Sequence, residues 1–244
     1  PEHTLNGPWT LLAYTVRWNT GTGYTVIVKR TSSPYAGAST GALNNGATVY
    51  YGDVLSVTYT ASTGYSLTSK GSTSITVTGN VTSSNIYASA TVNSYTVSWN
   101  TGTGYTIAVK RTSSPLKGAS TGALSNGATI YYGDVLSITC TASTGYSLGN
   151  KGKTSITVTG NVTSSDIYTS ASVNSYTVSW NTGTGYTIAV NRTSSPLKGA
   201  STGALNNNAT VYYGDVLNIT YTRGDYRITE TSHFMVGRSG SISF

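Results

Sequence analysis

The chain has 244 residues, only 9% of them charged, and a formal net charge of +7. Its Lys and Arg residues are scattered without a run, which argues against specific nucleic-acid binding. The one cysteine, Cys140, leaves no internal disulfide, and no stretch approaches the roughly 18 apolar residues of a membrane-spanning helix.

Residues 1–13 stand apart as an N-terminal arm with Trp9, Leu11 and Leu12 close together. From Tyr14 one block is repeated: residues 14–94 and 95–175 match at 66 of 81 positions, and a third block, residues 176–244, keeps the pattern as far as Tyr221. Such a period marks tandem modules rather than one large domain. A module this small buries roughly 60 to 65% of its unfolded surface.

Within each block Gly and Pro punctuate short runs rich in Val, Ile, Thr and Tyr, which predicts six or seven strands and no helix. The first run alternates so that Tyr14, Val16 and Trp18 share a face, repeated with Trp99 and Trp180. A Gly-rich loop, 20–23, leads to a strand over 24–30 with Val26 and Val28 inward. Ile27 is replaced by Ala108 and Ala189 in the copies, which points to an outward or edge position.

The longest predicted loop, 32–47, ends in Asn45-Gly46. The third copy reads Asn207-Asn208, and Asn is the non-glycine residue that best accepts positive φ, so this position is expected to be left-handed. Residues 48–59 read as two strands about Gly52-Asp53, a two-residue hairpin signal. Asp53, Asp134 and Asp215 are the only acids common to all blocks. They read as turn aspartates bonding to nearby amides, because one carboxylate per module is too few for calcium.

Further strands are expected at 64–67 and 73–78, then a turn at Gly79-Asn80 and a last strand over 86–92. That strand passes through Asn93-Ser94 directly into Tyr95, and so short a connection limits bending. The expected fold is all-β: three tandem β-sandwich-like or β-grasp-like modules in a rod of about 90 to 100 Å, the last module atypical. Cys140 aligns with Tyr59 and Tyr221, so it reads as a partly buried strand residue with no repeated thiol chemistry.

The frame from Leu43 through Gly52, Gly64-Tyr65 and Ile75-Thr-Val to Gly79-Asn80-Val81-Thr resembles the divergent internalin-type B-repeat family of Gram-positive surface proteins, and is similar to repeats on phage structural proteins. The resemblance implies β-rich spacer or adhesive units without catalytic residues.

No titratable pair, nucleophile with base, or metal-ligand spacing recurs, so the expectation is a non-enzymatic protein with no cofactor and no metal. The expected role is structural or display, on the exterior of a phage virion, with an adhesive or glycan-binding bacterial surface protein as the alternative. Candidate binding contacts are Tyr50, Tyr51, Tyr131, Tyr132, Tyr212 and Tyr213, whichever of each pair points outward, together with Lys29, Arg30, Lys110 and Arg111. Tyr gives large contact area at low entropic cost, and repetition would serve avidity. Candidate assembly contacts lie where the repeat fails: Trp9, Leu11, Leu12, Phe234, Met235 and Phe244. Partners are expected to be further copies, other particle proteins or a surface glycan.

Overall fold

A computed structural model describes residues 11–224, 232–237 and 242–243. Trp9, Phe244 and most of the N-terminal arm lie outside these residues, and no helix occurs among those described. The first module runs β1 (Ala13–Thr15), β2 (Tyr24–Ser32), β3 (Gly41–Leu43), β4 (Thr48–Tyr50), β5 (Val54–Ala61), β6 (Tyr65–Lys70), β7 (Ser74–Thr76) and β8 (Ala88–Val92). The main sheet has the antiparallel order β3-β2-β5-β7, while β1 pairs with β4 and β6 with β8.

Alternation along β2 sends Val28 and Arg30 inward and leaves Ile27 and Lys29 outside. Val28, Leu55, Val57 and Val77 from the main sheet's side meet Val16 and Val49 from the β1–β4 side, and Val81 and Ile86 close the cluster. Two sheets therefore share one core, the sandwich-like alternative. No helix lies across the sheet as a β-grasp requires. Each fully buried Val, Leu or Ile contributes about 1.5–3 kcal/mol, and Tyr14 and Trp18 pack at the margin of the cluster.

The second module repeats this with β9 (Ser94–Thr96), β10 (Tyr105–Ser113), β11 (Gly122–Leu124), β12 (Thr129–Tyr131), β13 (Val135–Ala142), β14 (Tyr146–Lys151), β15 (Ser155–Thr157) and β16 (Thr169–Val173). Its core is built from Val97, Val109, Ile130, Leu136, Ile138, Val158, Val162 and Ile167, with Cys140 partly buried beside them.

The third module contains β17 (Ser175–Ser179), β18 (Tyr186–Ser194), β19 (Gly203–Leu205), β20 (Ala209–Tyr212), β21 (Val216–Arg223), β22 (Ser232–Met235) and β23 (Ile242–Ser243). Although the sequence departs from the repeat here, β22 takes the place of β7. It pairs Val216 with Met235 and Leu217 with Phe234, as Val54 pairs with Thr76 and Leu55 with Ile75. Val236 fills the core position of Val77. The parallel pairing of Val178 with Ile242 replaces the Val16–Val81 bridge. The β6–β8 pair has no counterpart among the described residues.

Three expectations need correction. Gly52-Asp53 is not a hairpin: β4 pairs with β1 and β5 with β2 and β7, so the turn is a corner between sheets. The 32–47 loop contains β3, whose three residues are too short to show a period. The first two modules each have eight strands, and Ile86 is a core residue ahead of β8. The expected left-handed position is present, with φ of 90° at Gly46, 86° at Gly127 and 66° at Asn208.

Candidate functional site: the joints between modules

The charged residues divide sharply. Lys29 and Lys110 are exposed, but Arg30 and Arg111 face the core and are 5% exposed, so they are not surface contacts. Arg30 Nε donates to Asp53 Oδ2 at 2.6 Å, Nη1 to the Ser39 carbonyl at 3.1 Å and Nη2 to the Thr48 carbonyl at 2.6 Å. Asp53 Oδ2 also accepts the Tyr50 backbone N–H at 2.9 Å. The turn reading of Asp53 therefore holds, with an unforeseen ion pair added. Arg111–Asp134 and Arg192–Asp215 repeat the arrangement. Arg30 lies in phase with Val26 and Val28 and recurs in every block, whereas Lys29 becomes Asn191; that contrast is the sequence signal for burial.

The tyrosine pairs also separate. The guanidinium of Arg30 lies 5.6 Å from the centre of the Tyr50 ring, with like contacts at Tyr131 and Tyr212, so the first tyrosine of each pair covers the buried cation. The second points away from the module. Tyr51 is 54% exposed, while Tyr132 and Tyr213 are half-buried because the preceding module covers them. Leu11, Leu12 and Met235 are exposed, and the side chain of Phe234 is not among those described.

Between modules a single residue, Asn93, separates β8 from β9. Its N–H donates to the Gly64 carbonyl at 2.8 Å, and its carbonyl accepts the N–H of Tyr132 in the next module at 2.9 Å. Its Oδ1 accepts the Ser66 hydroxyl at 2.7 Å. The Tyr132 ring lies against Gly64, where a Cβ would overlap it and where φ is +80°. The second joint repeats each element with Asn174, Gly145, Ser147, Tyr213 and a φ of +82°. Glycine is required at Gly64 twice over, by backbone conformation and by close approach.

Beside the first joint lies a cleft of about 520 Å³, lined from one side by Tyr65 and β8 and from the other by Pro115, Leu116, Lys117 and Tyr131. Its lining is largely apolar, with two phenol groups and one cation at hand. Among the described residues no three His, Cys, Asp or Glu side chains gather as a metal site, and no helix is long and apolar enough to cross a membrane.

No protein-family model matches the chain, and no curated protein matches it. Among solved structures the chain is similar to "The Bacillus anthracis TIE protein", with a TM-score of 0.50 and 11% identity over 96% of this chain. The chain spans about half the length of that protein, 49%. At this identity the likeness concerns the fold alone.

Proposed function

We propose that the chain is a non-enzymatic structural array that spaces and displays its modules on the exterior of a phage virion. The observation that carries this reading is the joint. Asn93 and Asn174 are bonded to both neighbouring modules, so successive modules are held at a set angle and distance. A spacer needs that property, whereas a set of independent binding domains on flexible linkers does not. The resemblance to surface and phage repeats supports the same role. Antibodies against residues 14–94, applied to intact phage particles and intact bacterial cells of the producing culture, test it. Gold label on the particle exterior is the expected result, label on cells alone favours a bacterial surface protein, and label on neither overturns the reading.

The cleft at the first joint favours adhesion as a second reading. Tyr65 and Tyr131 line it beside Lys117, and that chemistry suits a sugar with an acidic substituent. Binding of the full chain to a panel of surface glycans, lost on Lys117→Ala, is the expected outcome; equal binding by the variant would remove the cleft from consideration.

A further inference from the structure

Tyr51, Tyr132 and Tyr213 occupy one position in three modules and have different surroundings. Tyr132 and Tyr213 rest on Gly64 and Gly145 of the module before. Around Tyr51 half of the same joint exists: its N–H donates to the Leu12 carbonyl at 3.0 Å, as that of Tyr132 does to Asn93. Leu12 thus stands where Asn93 stands. The other half, a hairpin turning at a glycine over the phenol ring, is missing among the described residues. Tyr51, Leu11 and Leu12 are about half exposed, at 54%, 45% and 53%.

We infer that this end of the first module is an open docking face for the β6–β8 hairpin of a preceding module of the same kind. The inference rests on reading the chain as a jointed array and names what the Tyr51 face of its first module accepts. Both closed joints take their hairpin from the preceding module, so the interface itself defines the occupant. A second copy of this chain is a poor one, because its two described hairpins already cover Tyr132 and Tyr213. The local sequence also fits. Where the later modules carry Leu116-Lys117 and Leu197-Lys198, the first carries Tyr35-Ala36, and the Tyr35 ring meets the Tyr50 ring at a tilt of 58°, with centroids 4.8 Å apart. Leu116 lines an open cleft, so the larger Tyr35 has room at the equivalent place and would fill part of it when a preceding module is seated.

A tandem duplication of residues 13–93, placed between Leu12 and Ala13 of the full chain, supplies that module. Its second copy of Tyr51 then sits at an internal joint and its first copy remains at the end. Tyrosine nitration mapped by mass spectrometry reads the outcome. In the parent chain, Tyr51 should react several-fold faster than Tyr132 and Tyr213. In the duplicated chain, modification of the Tyr51 peptide should fall to half, and Gly64→Ala in the inserted copy should restore it. Full reactivity in the duplicated chain overturns the inference. So does a parent Tyr51 already protected, because residues 1–10 would then hold the face themselves. If Tyr132 and Tyr213 react as fast as Tyr51 in the parent, the joints are not closed and the array reading itself fails.

Discussion

Arg30 projects where the hydrophobic pattern of β2 sends apolar groups, and it is tolerated there because Asp53 and two carbonyls meet its guanidinium. Removing one partner of such a pair leaves an uncompensated buried charge, a loss of about 3–5 kcal/mol. Asp134→Ala should accordingly destabilise the second module by that amount in urea denaturation; a change below about 1 kcal/mol would contradict this account. Arg111→Lys should also destabilise it, since an ammonium cannot reproduce the planar fork that reaches Asp134, Ser120 and Thr129. A second residue-scale feature separates two nearly identical modules. Ser72 and Asn85 of the first become Lys153 and Asp166 of the second, and Lys153 Nζ donates to Asp166 Oδ1 at 2.6 Å. The bond from Lys153, with help from the Thr163 amide, holds the Asp166 carboxyl below its usual range. A depressed folded-state pKa stabilises above the unfolded value and loses that contribution as pH falls through the folded one. Asp166→Asn, which restores the asparagine of the first module, should therefore be less stable than the parent near neutral pH and equal to it in acid; thermal melts across that range measure the convergence.

At the scale of strands, legibility followed length and phase. Nine residues of alternation in β2 were enough to place Val28 inward and Ile27 outward. Three residues of β3 carried no period, and the Gly52-Asp53 pair suits a corner between sheets as well as a hairpin, since both need positive φ at one residue. The end of the third module was opaque for a different reason. The strand β22 is placed by backbone pairing, and Val236, just after it, exchanges bonds with Gly214 and Asp215 as Val77 does with Gly52 and Asp53. That valine keeps the core position of Val77 while the surrounding sequence changes. The joints were half legible. The missing linker at Asn93 was visible in the sequence, but the seat of Tyr132 on Gly64 joins residues 68 apart and has no local signature. Truncation after Gly224 should therefore unfold the third module, by loss of β22, β23 and Val236, while the first two retain their amide protection in hydrogen exchange. Retained protection across β18 and β21 would show that those closing strands are dispensable.

In the whole molecule the three cores are separate clusters, and the joints connect them. At each joint one hydrogen bond through the asparagine crosses to the next module, worth about 1 kcal/mol net, while two more tie the asparagine to its own module, and the tyrosine seat adds to them. Gly145→Ala attacks the seat and the backbone conformation together. It should leave the second and third cores folded and let the third module reorient, seen as a broadened distribution of maximum dimension in small-angle scattering. An unchanged profile would show that the ring contact does not hold the angle. One consequence of the single-residue connection at Asn93 concerns load. Tension along the chain passes from β8 through one residue into β9, with no slack to be taken up first. The chain cannot lengthen there until β8 is stripped from β6 or β9 from β12, so it should behave under pull as an inextensible tether that yields in discrete steps of a whole module.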